Sequence, residues 1–414
     1  KIGEVIVMGG VRRSAMISLS NLSDDRMRHA KSGAWWENDP HRALANNSVA
    51  YTEKPDAVSF MREWTALVES GSGERGIFNR EAAKKQAGKY GRRDANWDFG
   101  TNPCSEIILR PYQFCNLTEV VVRATDSLDD LERKVRVATI LGTIQSTYTK
   151  FPYLRKVWKR NTEEERLLGV SLTGIMDNKL LTTRNKGLDK TLEHLREVAV
   201  NANAMWSDRL GIPQSTSITC VKPSGTVSQL VDSASGIHPR YSRHYIRTVR
   251  GDNKDPLTTF MKDQGIPNEP DIMKPDVTTV FSFPIKAPDG AVVTEDLTAI
   301  EQLETWLIYQ RNWCCHKPSI TVNVKPDEWF EVGAFVHKHF DEMSGVSFLP
   351  YNEHTYQQAP YQDINATAYK TLSSCMPKVI DWSELSEYEK EDTTKSSQLL
   401  ACTGDVCEVV DIGA

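Results

Sequence analysis

The sequence has no run of roughly eighteen apolar residues and no apolar stretch typical of a secretory signal, which predicts a soluble, unexported, cytoplasmic protein. Cysteine is scarce: 8 residues in 414 are too few for a disulfide scaffold and favour reduced thiols. Positive charge is not in excess either, because 50 Lys and Arg face 55 Asp and Glu, a net charge of −5. This balance argues against nucleic acid or an anionic membrane as a partner, so any phosphate site must be local.

Helical and extended patterns alternate along a chain that is 39% hydrophobic and 25% charged, as is ordinary for a globular protein. The patterns predict helices near 127–147, 189–210, 297–311 and 327–340, and strands near 117–122, 280–284 and 319–324. Repeated β–α alternation favours the α/β fold class with mostly parallel strands.

A further helix is predicted to open at Pro55, since proline is favoured in the first helical turn. Its apolar residues recur at helical spacing, which predicts core positions for Val58, Met61, Trp64, Leu67 and Val68. Asn79 is the predicted cap of the helix that follows.

The sequence begins at Lys1 inside a stretch with strand character, which we interpret as part of a longer chain or one half of a split protein. Gly9 and Gly10 follow shortly and are succeeded by Arg12 and Arg13. Paired glycines before two arginines fit a hairpin turn with exposed charges and an anion-binding or ligand-sensing loop equally well.

The stretch Asn-Pro-Cys-Ser-Glu at 102–106 concentrates an amide, a thiol and a carboxylate. Pro103 lacks a backbone donor and restricts Asn102 to an extended conformation, so Cys104 is predicted at a loop tip. Cys115 lies eleven residues further on. Taken alone, the stretch favours a buried structural cysteine at Cys104 and a surface carboxylate at Glu106 over a functional role for either residue.

A second concentrated signal follows an apolar, strand-like segment at 217–221. A strand, a glycine-containing loop and a helix start can direct backbone N–H groups at a phosphate. The order of residues is not that of a P-loop, and polar loops of this composition are common. The loop consists of Lys222, Pro223, Ser224, Gly225, Thr226, Val227 and Ser228.

The segment 236–250 is locally basic and aromatic and includes His238 and Arg240. Its composition fits a surface for an anionic or large conjugated ligand, and it fits a solvated strand edge as well. The sequence leaves these alternatives open.

Composition changes again after Pro377, where a charged and polar stretch leads to Cys402 and Cys407. Two cysteines five residues apart around a Thr-Gly-Asp turn can close an exposed disulfide that exchanges with other thiols. Half of a zinc site is the alternative, and only the Cys-Cys-His run at 314–316 could complete it.

Together these motifs resemble the adenosylcobalamin-dependent (class II) ribonucleotide reductases, most of all the monomeric ribonucleoside-triphosphate reductase type. The resemblance is carried by residues 102–106, Cys-Asn-Leu at 115–117, residues 222–228 and the cysteine pair at 402 and 407. The run at 9–15 resembles the loop that links the specificity effector to the substrate.

The resemblance implies a fold and a domain division. Residues 1–376 would form the C-terminal part of a ten-stranded α/β barrel, with a finger loop at about 95–110 inside it. Residues 377–414 would form a flexible redox tail.

The resemblance also implies roles in reducing ribonucleotides to 2′-deoxyribonucleotides for DNA synthesis. Cys104 would carry the thiyl radical that abstracts the ribose 3′-hydrogen, and Glu106 would accept the 3′-hydroxyl proton. Asn102 would bind the sugar or orient Glu106. Cys115 would be one member of the pair that reduces the 2′-position and becomes a disulfide.

Further expectations concern the tail, the cofactor and the partners. Cys402 and Cys407 would reduce the disulfide and be recharged by a thioredoxin-like protein. Residues 222–228 would hold the substrate phosphates, and Gly9, Gly10, Arg12 and Arg13 would respond to a deoxynucleotide effector. Adenosylcobalamin would supply the radical, and His238 and Arg240 would line its side of the site.

Other features separate the chain from related reductases. Tyr388 stands alone where class I enzymes have paired radical-relay tyrosines. The sequence contains no glycyl-radical motif near its end, and no Asp-x-His-x-x-Gly motif for binding cobalamin through a histidine. A class I catalytic subunit remains the alternative function, together with a non-catalytic nucleotide-binding remnant and a structural zinc protein.

One departure from the family is large. The family has a first half that carries the partner of Cys115, the first barrel strands and most of the effector site. We therefore expect an N-terminal half supplied in trans, without which this half would be inactive. Triphosphate rather than diphosphate as substrate rests on overall likeness.

Overall fold

The structure is a computed structural model that describes residues 15–351 and 357–389. Within these two ranges, none of the helices combines the length and apolarity that a bilayer crossing requires. Six residues of predicted function lie outside the described residues: Gly9, Gly10, Arg12, Arg13, Cys402 and Cys407.

Strands and helices alternate through most of the described part of the chain. The strands there are β1 (Met16–Ser20), β2 (Ala45–Tyr51), β3 (Gly76–Asn79), β4 (Gly100–Thr101), β5 (Ile108–Leu109), β6 (Asn116–Val121), β7 (Leu168–Thr173), β8 (His244–Asp252), β9 (Asn268–Pro270), β10 (Thr278–Lys286), β11 (Ile320–Val324), β12 (Val346–Pro350) and β13 (Tyr361–Asp363). The α-helices there are α1 (Asp25–Arg28), α2 (Trp35–Asn38), α3 (Ala57–Ser70), α4 (Arg80–Gly88), α5 (Leu128–Gln145), α6 (Lys156–Glu165), α7 (Leu188–Leu210), α8 (Thr226–Leu230), α9 (Pro256–Asp263), α10 (Ala299–Asn312), α11 (Trp329–Lys338), α12 (Ala366–Cys375) and α13 (Leu385–Tyr388).

The main sheet has the strand order β1-β2-β3-β12-β11. Pairing is parallel from β1 to β3 and between β11 and β12. The two parallel groups meet in antiparallel orientation where Ile77 of β3 pairs with Val346 of β12. This arrangement confirms the predicted α/β class.

Isolated bridges extend the main sheet beyond β11. Val221 pairs with Pro318 just before β11, and Thr219 pairs with Val170 of β7. Because β7 pairs in parallel with β6, the segment 217–221 joins β6 and β7 to the larger sheet. The extended array brings the residues after β4 close to those before β11, although they are far apart in sequence.

Two buried tryptophans, one in α10 and one directly after it, tie this array to its helical cover. The indole N–H of Trp306 donates to the carbonyl of Pro318 at 2.8 Å, and that of Trp313 donates to Cys220 at 2.7 Å. Both indoles are fully buried. Buried donors of this kind must be paired, so α10 fixes the segments at 217–221 and 318 relative to each other.

The long predicted helices are confirmed, with capping that the sequence encodes. Ser127 and Asp130 form a reciprocal capping box at the start of α5, and Thr298 and Glu301 form one at α10. Asn79 caps α4 as predicted, accepting from two backbone N–H groups.

The predicted core positions of α3 are only partly correct. Trp64 and Leu67 are buried, whereas Val58 is 74% exposed and Met61 46% exposed. A step of three residues turns about 300° around a helix, so Val58 lies about 180° from Leu67. Apolar residues at this spacing therefore do not all lie on the buried face of the helix.

A second sheet, β13-β8-β10-β9, is antiparallel throughout its pairings. The predicted strand at 280–284 belongs to it, so the expectation of mostly parallel strands fails here. The connection from β8 to β10 contains the short helix α9 and the strand β9, and β9 itself pairs antiparallel with β10. Trp382 and Tyr388, from the region predicted as tail, pack against Phe260 of α9.

Candidate active site

Cys104 lies at a loop tip, as predicted from the residues around it, and this loop is the turn of a short hairpin. The antiparallel strands β4 and β5 flank the tip at 102–107. The tip closes when the N–H of Ser105 donates to the carbonyl of Asn102 at 2.9 Å and the N–H of Ile107 donates to Asn102 Oδ1 at 2.9 Å. Asn102 therefore shapes the turn with both its backbone and its side chain.

The base of the hairpin is held by a buried cation. Arg93 pairs with Glu165, with 2.9 Å between Nη2 and Oε2, and its Nη1 donates to the carbonyl of Ile108 at 2.9 Å. His316 lies on the other side: its Nδ1 accepts from the N–H of Ile108 at 3.3 Å, and its Nε2 donates to the carbonyl of Leu168 at 3.0 Å. These contacts connect the hairpin to α6 and β7 and make it a fixed part of the fold.

Glu106 is a fully buried carboxylate with one cationic partner. Its side chain is 0% exposed, and the Nζ of Lys222 donates to its Oε1 at 3.0 Å. Its Oε2 has no hydrogen-bond partner among the residues that the structure describes. A buried carboxylate oxygen without a partner is costly, and a chemical role is one of the explanations for such a group.

The Lys222 ammonium responds to the negative groups around it. Burial alone would lower the pKa of Lys222, but the charges of Glu106 and Cys104 outweigh it and raise the pKa. Lys222 therefore remains protonated beside the hairpin tip and can stabilise the charged form of Glu106.

Two further thiols approach the same centre. Cys115 directly precedes β6, and burial together with the charge of Glu106 raises the pKa of its thiol. Burial, followed by the charges of Glu106 and Cys115, also raises the pKa of the Cys220 thiol. Both groups are therefore neutral thiols in this environment.

Sequence reasoning missed Glu119 and Lys317. Burial raises the pKa of Glu119 to about 7, although the ammonium of Lys222 opposes this. Lys317 is fully buried next to Ser105, to which its Nζ donates at 3.3 Å. Glu119 lies only four residues after Cys115, and this proximity in sequence could have drawn attention to it. No local sequence pattern distinguishes Lys317.

The predicted phosphate loop at 222–228 connects the segment 217–221 to α8. Ser224 is buried and its hydroxyl bonds to that of Thr173, while the hydroxyl of Ser228 donates to the carbonyl of Gly225 at 2.6 Å. These two hydroxyls shape the loop itself, and Lys222 points to Glu106. The phosphate-binding assignment of this loop stays a prediction.

His238 and Arg240 are buried and have hydrogen-bond partners within the protein. His238 Nδ1 donates to the carbonyl of Ser235 at 3.0 Å, and its Nε2 accepts from the N–H of Thr321 at 3.0 Å. Arg240 forms a two-bond pair with Asp177 at 2.9 and 3.0 Å. Their predicted place beside a cofactor stays a prediction, since both side chains already form hydrogen bonds within the protein.

Arg240→Met is expected to destabilise the protein by about 3–5 kcal/mol, because Asp177 is left buried without its counter-ion. Burial alone would lower the pKa of Arg240, but hydrogen bonding to Asp177 and Asp232 raises it above the usual arginine value. Chemical denaturation would measure the loss, and Arg209→Met on the exposed end of α7 is the matched control. Wild-type stability of the Arg240 variant would contradict this structural role.

The zinc alternative gains no support from the described residues. No group of three or more His, Cys, Asp or Glu in residues 15–351 and 357–389 is arranged to hold a metal ion. Both ring nitrogens of His316 are already hydrogen-bonded, and Arg92 donates to the Sγ of Cys315 at 3.1 Å.

Comparison with known proteins defines the class of fold first. The chain superposes on a crystal structure of a B12-dependent (class II) ribonucleotide reductase with a TM-score of 0.78 and 26% identity, over 95% of this chain and 57% of that one. The class Id ribonucleotide reductase alpha subunit of Actinobacillus ureae shares the fold, with a TM-score of 0.55 and 12% identity over 81% of this chain and 70% of that one. The fold is therefore part of a ribonucleotide reductase barrel, as predicted.

Comparison with curated relatives then indicates which type of ribonucleotide reductase this chain resembles. Adenosylcobalamin-dependent ribonucleoside-triphosphate reductases of Lactobacillus gasseri and Lacticaseibacillus paracasei are 29% and 30% identical, each over 89% of this chain. That of Euglena gracilis is 28% identical over 98% of this chain. The predicted resemblance to this type of reductase is confirmed. The chain spans 53%, 52% and 55% of these relatives, about half their length, and no family model matches it.

Proposed function

We propose that this chain carries the catalytic hairpin of an adenosylcobalamin-dependent ribonucleotide reductase, which converts ribonucleoside triphosphates to 2′-deoxyribonucleotides. One observation carries the proposal: the tip of the hairpin presents a half-buried thiol at Cys104 beside a fully buried carboxylate at Glu106. The free Oε2 of Glu106 is an acceptor for a substrate hydroxyl. The relatives named above supply the class of reaction.

Each residue near the tip has a chemical task in this proposal. Cys104, as a thiyl radical, takes the 3′-hydrogen atom of the ribose, and Glu106 accepts the 3′-hydroxyl proton through Oε2. Lys222 stabilises the charged form of Glu106 through Oε1. Asn102 holds the turn that keeps both groups at the tip.

The reducing electrons come from thiols. Cys115 and a second thiol together supply two electrons and two protons. The 2′-hydroxyl leaves with one proton as water, a hydrogen takes its place on C2′, and the two sulfurs form a disulfide. The neutral thiol of Cys115 suits this step because its hydrogen is retained until it is needed. Cys402 and Cys407 then exchange with that disulfide and are reduced in turn by a thioredoxin-like protein.

The residues at the tip fit a radical cofactor in two respects. Cys104 keeps partial exposure, so a hydrogen acceptor can reach it, and Glu106 next to it is sealed from water. Adenosylcobalamin, when bound, supplies the radical that converts the Cys104 thiol to a thiyl. Protection of that radical by the buried hairpin is the contribution of this chain.

The complete reaction requires more than the residues described. We propose that residues matching the other half of the relatives, in the same polypeptide or in trans, complete the barrel and supply the partner of Cys115. A ribonucleotide substrate, a deoxynucleotide effector acting through Gly9, Gly10, Arg12 and Arg13, and a cytoplasmic location complete the proposal.

The test is a reductase assay with a ribonucleoside triphosphate, dithiothreitol and adenosylcobalamin, with and without a polypeptide that matches the other half of the relatives. We expect deoxyribonucleotide formation that requires adenosylcobalamin and no separate metal-containing subunit. Turnover that needs such a subunit and ignores adenosylcobalamin would overturn the cofactor, and no turnover in any combination would overturn the proposal.

A further inference from the structure

Lys317 contacts the two residues that follow Cys104. Its backbone N–H donates to the carbonyl of Glu106 at 3.0 Å, and its Nζ donates to the hydroxyl of Ser105 at 3.3 Å. The same Nζ donates to the hydroxyl of Ser344 at 3.1 Å. One residue just before β11 therefore joins the hairpin tip to the loop before β12.

The tip needs such support because Ser105 has a positive φ of 65°. A residue other than glycine pays a steric cost in this conformation, which persists only where the surroundings hold it. Gly345 lies directly beneath: a Cβ placed there would lie 2.7 Å from the carbonyl oxygen of Ser105. Close backbone contact below and a hydrogen bond from Lys317 together hold Ser105.

Stability alone does not explain a lysine at this position. Lys317 is 0% exposed, and its amino group has two neutral hydroxyl acceptors and the ring of Phe78 at 4.5 Å. By contrast, the buried Lys31 pairs directly with Glu74 at 2.9 Å. A well-packed apolar side chain at position 317 would avoid burying an amino group.

We propose that Lys317 is a positioning residue, which holds Ser105 in its left-handed conformation and so fixes Cys104 and Glu106 relative to the substrate. The consequence for catalysis rests on the proposed function, whereas the effect on the tip does not. A small displacement of reacting groups strongly lowers the rate of a reaction. A loosened tip therefore lowers the rate of the chemical step more than it weakens nucleotide binding.

The first test compares Lys317→Met with Lys31→Met in the full chain, together with its other half for turnover. We expect Lys317→Met to lower kcat about 10- to 100-fold, since misplaced reacting groups cost about this much, with KM for the nucleotide unchanged. Lys31→Met removes an equally buried lysine away from the tip and is expected to leave kcat of the folded protein unchanged. Wild-type kcat in the Lys317 variant would overturn the proposal.

A second readout requires no turnover. Hydrogen exchange at the amides of Ser105 and Ile107 should be faster in Lys317→Met than in wild type, and unchanged in Lys31→Met. Ser105→Ala, which keeps the lysine and removes its acceptor, should accelerate exchange in the same place. If exchange rises but no variant or wild-type protein reduces nucleotides, the positioning of the tip stands and the proposed function fails. Unchanged exchange in both tip variants would overturn the positioning.

The pH dependence of stability checks that the amino group itself is buried in the folded protein. Burial lowers the pKa of Lys317 from the ordinary 10.5 to about 7, with the charge of Glu106 opposing this. Between these two pH values the unfolded chain binds more protons, so wild-type stability should rise with pH relative to Lys317→Met. A constant difference between wild type and variant from pH 6 to pH 10 would contradict the buried amino group.

Discussion

Cys104→Ser is expected to abolish nucleotide reduction while leaving the fold intact. The hydroxyl that replaces the thiol does not give up its hydrogen atom to a carbon-centred radical, so no radical reaches the substrate. We expect turnover to fall at least about 1000-fold, the scale on which loss of an essential reacting group is felt. The measurement is deoxyribonucleotide formation by the reconstituted enzyme with adenosylcobalamin.

The fold should tolerate this change, because Cys104 is only half-buried at a hairpin tip and serine is nearly the same size. Cys375→Ser, at the exposed end of α12, is the matched control and should keep wild-type turnover. Circular dichroism and thermal unfolding would show that both variants are folded. Substantial turnover by Cys104→Ser would remove the thiol from the proposed mechanism.

The loop tip at Cys104 could be predicted from sequence because its signals are local. Pro103 restricts Asn102, and Asn102 caps the turn through contacts within five residues of itself. The helices α5 and α10 were predictable for the same reason, since the two residues of each capping box are only three positions apart.

The partners of the tip could not be predicted, because they come from distant parts of the chain. Lys222 and Glu106 are 116 residues apart, and Lys317 and Ser105 are 212 apart. Only the strand order, with the bridges of Val221 to Pro318 and Thr219 to Val170, brings them together. Such contacts depend on the whole sheet, and no local pattern carries them.

The polar loop at 222–228 shows a related limit. Its composition suggested donors for a phosphate, but the hydroxyls of Ser224 and Ser228 bond within the protein. The composition of a loop shows how many hydrogen-bond donors it contains, but it does not show which of them already bond within the fold. The same holds for His238 and Arg240, whose charges and rings suggested a ligand surface and whose atoms have partners inside the fold.

Two lysines thus contact the tip in different ways. Lys317 donates to the backbone carbonyl of Glu106 and to the hydroxyl of Ser105, whereas Lys222 contacts the carboxylate of Glu106. The first bears on geometry and the second on the charge of the proposed base. Variants at the two positions should therefore differ in their pH profiles as well as in rate.

Lys222→Met is expected to lower kcat/KM about 100-fold or more, within the range attributed to general bases. Without the ammonium, Glu106 is a buried carboxylate with no counter-ion, and its neutral form is favoured. The base form is then reached only at higher pH, so the acid limb of the pH–rate profile should move to higher pH. Stability should fall by less than the about 3–5 kcal/mol typical of a broken buried pair, because a third of Lys222 is exposed to water.

Lys222→Arg is the matched variant, since it keeps the positive charge while changing its shape. It should restore the position of the acid limb even if part of the rate is lost. If Lys222 instead acted on the substrate phosphates, Lys222→Met would raise KM and leave the acid limb where it is in wild type. A pH–rate profile of the two variants, measured with the same nucleotide, separates the two roles and tests whether the ion pair at the hairpin tip sets the charge of the proposed catalytic carboxylate.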